Sequence, residues 1–523
     1  MRAQVRVDPE RVIGRIDPNI YGQFLSRRPG CSEGGLYDPA ASTADEHGIR
    51  ADVSDAIAAC RPGVVRWPGG CTGTSYRWQD GVGPVEERPT KIDLHFGWPI
   101  HYDFGTVEFV DWCRRIGAEP HLNFGLGTGS LEDAAAWVEY CNRPGGTYYA
   151  DLRRKHGREE ALNVRYWQIG NEEYGAWEVG HCSPAEYART AREWAKAIRK
   201  VDPSVTLLAV GGVAGNHQDS GQWAWEVLPK VAPWVDYITF HTYWSAPKAA
   251  APGAGLHGRE AAGDPWLGLF AGPHAAEQKI EELAAISHTV FRTGDASSTP
   301  GLPARMAPRR VKVACTEWNA VPPRDFMSPR LDGLAAFSPA YRLHDALAVA
   351  TFANVMQRHC RDITLATVAQ SINVVGLIGV DERGMWLEPS YWAWHMVANH
   401  SGPLALDAWV SCETFDAPDQ RLFGLSYLDA SVSLDPDTRT LYLSLVNRHQ
   451  TEPLDVEVHL TDAVAGAGGL AHVLFHDDAS AMNTHDQPDN VRTSTEPAGV
   501  EGARFIYTLP PHAYAVLELP LGA

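Results

Sequence analysis

From residue 20 to about residue 395 the chain repeats one pattern. A short apolar, β-prone run is followed by a longer segment of helical period. The runs are Ile20–Phe24, Val64–Pro68, Pro120–Phe124, Val164–Gly170, Val205–Val210, Tyr237–Tyr243, Val311–Thr316 and Ile363–Val368. Helical segments among them include Thr106–Ile116, Leu131–Cys141, Pro184–Lys200, Ala275–His288 and Ala340–Arg358. Ser183-Pro-Ala-Glu186 carries an N-cap hydroxyl, a proline at the first helical position and a glutamate at the third, which marks one helix start. Eight strands, each followed by a helix, predict a (β/α)8 TIM barrel rather than a doubly wound sheet.

Past about residue 400 the rhythm changes. Short alternating runs (Leu422–Tyr427, Leu441–Val446, Val456–Leu460, Phe505–Leu509) are separated by turns rich in Asp, Pro and Gly. These predict a C-terminal all-β sandwich, jelly-roll-like, over residues 396–523, behind a catalytic barrel at 18–395. Val5 and Val7 lie on one face of an early strand outside the barrel rhythm, so residues 1–17 are predicted to cross over and join the sandwich. Two stretches rich in Ala, Gly and Pro, Ser245–Pro273 and Arg292–Arg310, read as long loops.

A length of 523 residues fits two domains. The net charge of -19 disfavours nucleic acid and anionic membranes as partners, because both require a basic footprint. No apolar run reaches the roughly 18 residues that a membrane helix needs, and Met1-Arg-Ala-Gln-Val lacks the apolar centre of a secretory signal. The nine cysteines are scattered without a C-x-x-C pair, which reads as reduced thiols in a cytoplasmic protein.

Candidate chemistry sits where barrel strands end. Arg165-Tyr-Trp-Gln-Ile-Gly-Asn-Glu-Glu-Tyr174 breaks at Gly170 and then presents Asn171 and Glu172. Val311-Lys-Val-Ala-Cys-Thr-Glu317-Trp-Asn delivers a second carboxylate in the same way. Glycosidic cleavage needs one acid to protonate the leaving oxygen and one carboxylate across the anomeric carbon. Glu172 and Glu317 are therefore the candidate pair; the bland alternative is two salt-bridged glutamates.

Val64-Val-Arg-Trp-Pro-Gly-Gly70 ends in residues that let backbone approach a ligand closely. Arg66 there suits sugar hydroxyls or a carboxylate, or an ion pair that ties the strands together. Tyr243 is placed to donate its phenol to a nucleophilic carboxylate. His241 reads either as a hydroxyl ligand or as a hydrogen-bonded core histidine. Gln370, closing the eighth strand, can read hydroxyls or sit as a satisfied core amide. Trp98, Trp177, Trp244 and Trp318 suit stacking on sugar faces or core packing. His476-Asp-Asp478 has no metal-ligand spacing, Gly125-Leu-Gly-Thr-Gly129 lacks the dinucleotide pattern, and no G-x-S-x-G elbow is present, so neither metal nor cofactor is implied.

Taken in order, Arg66-Trp-Pro-Gly-Gly70, Trp78-Gln-Asp-Gly-Val-Gly-Pro84 with Arg88-Pro89, Gly170-Asn-Glu172 with Trp177 and Gly180-His181, and Glu317-Trp-Asn319 resemble glycoside hydrolase family 51, mainly α-L-arabinofuranosidases. The resemblance spans roughly residues 20–395. It implies a retaining double displacement with Glu172 as acid/base and Glu317 as nucleophile. Arg66, Asn171, Tyr243 and Gln370 match positions around the family's sugar subsite. It further implies an oligosaccharide substrate, no cofactor, a cytoplasmic location and a homo-oligomer, often a hexamer. Ser26 and Cys71 stand where the family usually has Glu and Asn, both of which touch glycone hydroxyls, so these two positions are predicted to reshape sugar recognition. The competing readings are a clan relative with another glycone (another furanosidase, a xylosidase or an endo-glucanase), or a carbohydrate-binding protein that has lost catalysis.

Overall fold

The structure is a computed structural model and describes residues 1–214, 220–245, 264–293, 310–321, 341–418 and 421–522. After β1 (Arg2–Arg15) come eight strands: β2 (Gly22–Phe24), β3 (Val64–Trp67), β4 (Glu119–Phe124), β5 (Tyr166–Ile169), β6 (Thr206–Val213), β7 (Tyr237–Trp244), β8 (Lys312–Ala320) and β9 (Ile363–Val368). They pair in sequence order, all parallel, and β9 closes on β2. All eight sequence-predicted strands coincide with a barrel strand. Val64, Tyr166, Leu208, Ala314 and Leu365 form a small buried cluster of their own, drawn from five different barrel strands.

The helices α1 (Ala51–Ala59), α2 (Thr106–Arg115), α3 (Leu131–Asn142), α4 (Tyr148–Lys155), α5 (Pro184–Val201), α6 (Ser220–Val231), α7 (Pro265–Thr293), α8 (Leu343–Arg358) and α9 (Pro389–Asn399) follow the strands in turn. The Ser183–Glu186 capping box is present at α5: the Ser183 N–H donates to Glu186 Oε2 at 2.9 Å, and Ser183 Oγ accepts from the Glu186 N–H at 3.4 Å. One loop prediction is corrected. The stretch Ser245–Pro273 becomes helical at Pro265, where the Trp266 N–H donates to Asp264 Oδ1 at 2.8 Å. The helix runs on through Gly272 and Pro273 because it packs against β7: a Cβ at Gly272 would meet the Trp244 ring at 2.3 Å. Residues 246–263 and 294–309 of the two predicted loops lie outside the described residues.

Beyond α9 come β10 (Leu404–Ser411), β11 (Leu428–Asp435), β12 (Thr440–Asn447), β13 (Leu454–Leu460), β14 (Leu470–Leu474), β15 (Thr493–Pro497), β16 (Arg504–Leu509) and β17 (Tyr514–Pro520). With β1 they form one sheet ordered β15-β14-β17-β12-β11-β10-β1-β13-β16. Ala465 bridges both to Gly502 before β16 and to Leu521 after β17, so the sheet rolls over on itself. Its apolar faces share one core, in which Val5, Leu443, Val458, Phe505 and Leu517 are buried. β1 sits deep inside this sheet, antiparallel to β10 and parallel to β13, with Val5 opposite Val410 and Val458.

Helix α8, which follows β8, is buried along nearly its whole length between the barrel and the sheet. Asn354 donates to Asp429 at 2.9 Å and accepts from Ser431 at 2.8 Å and Ser444 at 2.6 Å. Arg358 pairs with Asp429 at 2.9 Å, and Gln357 donates to Tyr21 at 2.9 Å. A buried polar network of this kind is low in energy only when every member is satisfied, which fixes one seating of the sheet on the barrel. Among the described residues, no helix is long and apolar enough to cross a membrane.

Candidate active site

Glu172 follows the fourth barrel strand and Glu317 lies within the seventh, both at the C-terminal rim. Their burial differs little: Glu172 is 9% exposed and Glu317 7%. One oxygen of each carboxylate and one nitrogen of His241 all lie within 4.8 Å of one another.

Glu317 is held from both sides. Arg66, fully buried on the second barrel strand, donates through Nη1 to Oε1 at 2.7 Å. Tyr243 donates its phenol to Oε2 at 2.8 Å. Arg66 also reaches Asn171 Oδ1 at 2.8 Å and the Thr316 carbonyl at 3.1 Å, over the face of Phe24 at 4.7 Å. Of the alternatives for Arg66, the ion pair is the one realised; its burial leaves no surface for a sugar. Gly70 is what lets the backbone pass: a Cβ there would lie 2.2 Å from Glu317 Oε1.

Glu172 has a different set of partners. His241 Nδ1 lies 2.7 Å from Oε1, Tyr174 donates to the same oxygen at 3.2 Å, and Trp177 Nε1 donates to Oε2 at 2.8 Å. Burial pushes the Glu172 carboxyl up, but the hydrogen bond and charge of His241, with Trp177 and Tyr174, outweigh it and bring it down to about 2. His241 Nε2 meets Thr316 Oγ1 at 3.0 Å, so both ring nitrogens are occupied by protein and neither is left for a sugar hydroxyl.

Asn171 joins the two halves. Its Oδ1 takes Arg66, and its Nδ2 donates to Glu178 Oε2 at 3.5 Å and faces Cys71 Sγ at 3.9 Å. Glu178 is pushed up to about 7 by burial first and by the charge of Glu172 second, against hydrogen bonds from Thr74 and Cys71. Glu173 is also buried and is raised to about 8 by burial, although the Asn171 N–H donates to both its oxygens at 3.0 Å.

The remaining sequence candidates sit further out. Ser26 Oγ is 3.1 Å from Thr72 Oγ1, in the wall beside Gly69. Gln370 lies at the end of the eighth barrel strand; its N–H bonds the Val375 carbonyl at 3.3 Å and its buried Oε1 has no hydrogen-bond partner. Trp98 is buried and stacks on Phe96 at 4.5 Å, with the Arg28 guanidinium over both rings. Trp318 and Trp244 pack with Phe352 in the core, whereas Trp177 is 46% exposed at the rim. Sequence reasoning missed Tyr174, Thr316, His95 and Glu178. Tyr174 and Thr316 were signalled by lying within two residues of a candidate glutamate; His95 and Glu178 carried no local signal.

A closed eight-stranded parallel barrel that gathers two buried glutamates at its C-terminal rim, one ion-paired to arginine, defines a glycoside hydrolase. A family profile described as "Alpha-L-arabinofuranosidase 1 domain" matches residues 56–254, and one described as "Alpha-L-arabinofuranosidase C-terminal domain" matches residues 316–513. "Alpha-L-arabinofuranosidase C" of Emericella nidulans is 32% identical across 87% of this chain and 86% of its own length. "Intracellular exo-alpha-(1->5)-L-arabinofuranosidase 1" of Bacillus subtilis is 29% identical across 99% of each. The structure of the thermostable GH51 α-L-arabinofuranosidase from Thermotoga petrophila RKU-1 superposes with a TM-score of 0.85, at 30% identity over 99% of both chains. The chain belongs to the α-L-arabinofuranosidases of glycoside hydrolase family 51.

Proposed function

We propose that this enzyme releases terminal α-L-arabinofuranosyl residues from oligosaccharides with retention of configuration. The observation that carries the mechanism is that one oxygen of each carboxylate lies within 4.8 Å of the other, which favours the roughly 5–5.5 Å carboxyl separation of retaining enzymes over the roughly 6.5–9.5 Å of inverting ones. In the first step a Glu317 oxygen bonds the anomeric carbon as the glycosidic C–O bond breaks, and Glu172 gives its proton to the leaving oxygen. In the second, Glu172 takes a proton from water, the water oxygen bonds the anomeric carbon, and Glu317 leaves. Arg66 and Tyr243 hold the nucleophile as an aligned anion. His241, Trp177 and Tyr174 hold the Glu172 carboxyl down in the free enzyme, so the first step draws on the minor protonated form of Glu172.

Asn171, Ser26, Cys71, Gln370 and Trp98 are assigned to the wall of the glycone subsite: Asn171 and Cys71 by their place beside the pair, Ser26 and Gln370 by the family positions they match, and Trp98 as a stacking surface. The catalytic chemistry is assigned to residues 18–395, and residues 1–17 with 396–523 to the bracing sheet. A cytoplasmic site of action is supported by nine free thiols and by the name of the Bacillus subtilis relative. A homo-oligomer, as the family resemblance implies, is checked by light scattering. The central test is proton NMR of hydrolysis of nitrophenyl α-L-arabinofuranoside: the first-formed arabinose carries the α configuration, and a β product would sink the double displacement.

A further inference from the structure

We propose that Cys71, His95 and Glu178 form a binding site for a divalent cation of the zinc class at the edge of the glycone position. Cys71 follows β3, His95 lies between two short strands (residues 90–92 and 99–101) that form a ribbon over the rim, and Glu178 lies in the loop after β5. They are far apart in sequence, yet Sγ, one imidazole nitrogen and one carboxylate oxygen lie within 4.8 Å of one another. His95 Nδ1 is 3.9 Å from Glu178 Oε1. Tetrahedral zinc, at about 2.0 Å from nitrogen or oxygen and about 2.3 Å from sulfur, sets its ligand atoms roughly 3.3–3.7 Å apart. To seat the ion the His95–Glu178 pair would close by about 0.6 Å, with Cys71 Sγ drawn in from within 4.8 Å of both.

A second observation points the same way. The His95 side chain is 8% exposed and that of Glu178 0%. His95 Nδ1 is buried and has no hydrogen-bond partner; at 3.9 Å, Glu178 is too far for one. A metal ion held between them would give that nitrogen a partner, while the Glu178 carboxylate already accepts from Thr74 and Asn171. The surrounding charge favours a cation: Glu172 and Glu317 act on Cys71, and Asp93 and Glu172 act on His95, against Arg28.

Thiolate, imidazole and one carboxylate select zinc-class ions over magnesium or calcium, which prefer all-oxygen sets. Three protein ligands leave a fourth place open. Binding displaces the Cys71 proton to solvent and leaves the sulfur as thiolate. Asn171 donates to Glu178 and is held by Arg66, which also holds Glu317, so the site is coupled to the nucleophile through two side chains. The open place suits a ring hydroxyl of the sugar; this last step rests on the function proposed above, whereas the ion site does not.

The test is elemental analysis of the full-length protein, loaded with zinc and passed over chelating resin. About one zinc per chain is expected. Cobalt substitution should give a thiolate charge-transfer band that disappears in Cys71→Ser. His95→Ala and Glu178→Gln should each weaken zinc binding by at least about tenfold, with melting curves reporting folding. Glu317→Ala should keep its zinc while losing turnover. Zinc far below stoichiometry in the parent, or zinc retained unchanged by folded Cys71→Ser and His95→Ala, overturns the proposal. Stoichiometric, ligand-dependent zinc in a protein that cleaves no arabinofuranoside would uphold the ion site and refute the function.

Discussion

Replacing Gly70 with alanine probes the alignment of the nucleophile with a single methyl group. The added Cβ would sit 2.2 Å from Glu317 Oε1 and 3.1 Å from Asn171 Oδ1. Carbon and oxygen in contact need about 3.3 Å, so the carboxylate must retreat by roughly 1 Å. Glu317 is the end of a flexible side chain, so it can retreat without moving backbone. It is pinned by Arg66 at 2.7 Å and Tyr243 at 2.8 Å, however, so any retreat misaligns the attacking oxygen. A displacement of 1 Å in a reacting group costs about 100-fold in rate. The expectation is a fall of about 100-fold in kcat on nitrophenyl α-L-arabinofuranoside, with a melting temperature within a few degrees of the parent. A folded Gly70→Ala enzyme that retains kcat within about threefold would refute the placement of Glu317 against this backbone.

Glu317→Ala should abolish turnover. Glu172→Ala should be slow on poor leaving groups, spared on activated ones, and accelerated by azide with formation of a glycosyl azide; absence of that product would remove the acid/base assignment. Asn354→Leu should lower stability by about 1–3 kcal/mol, because Asp429, Ser431 and Ser444 lose a shared partner in the α8 interface; an unchanged denaturant midpoint would show that interface to be dispensable. His400 is brought down to about 4, first by burial and second by the charge of His472, against a hydrogen bond to Glu518. The unfolded chain takes up that proton near pH 6.5, so the stability from neutral His400 is full above about pH 6.5 and drains away as pH falls toward 4. Thermal melts at pH 7 and 4.5 should show His400→Gln losing less than the parent, by on the order of 2 kcal/mol; equal losses would contradict the assignment.

The barrel was legible because each of its strands is a compact apolar run closed by Gly, Pro or a polar group, and those signals are local. The catalytic pair was legible for the same reason: Asn171-Glu172 and Glu317-Trp318-Asn319 each announce a strand end. What the sequence hid depends on partners far along the chain. The start of α7 was missed because Gly272 and Pro273 read as breakers, while the Trp244 ring that makes a glycine useful there belongs to a different element. His95 and Glu178 converge only through the ribbon and the loop after β5. His241 was read as a possible sugar ligand because nothing local reveals that Glu172 and Thr316 occupy both its nitrogens.

The position of β1 inside the rolled sheet bears on how the molecule is manufactured. Gln4 bonds Glu457 across 453 positions of chain. At about 5–20 residues per second, a ribosome needs roughly 20–90 s to cover that distance. Until β10 emerges β1, with Val5 and Val7, has no strand to pair with, and until β13 follows it has only one neighbour, while the barrel between them can already close. Arg2 and Arg6 alternate with those valines and give the waiting strand charges that discourage pairing with a neighbouring copy. Slower synthesis therefore lengthens the time for which one sheet strand stands open.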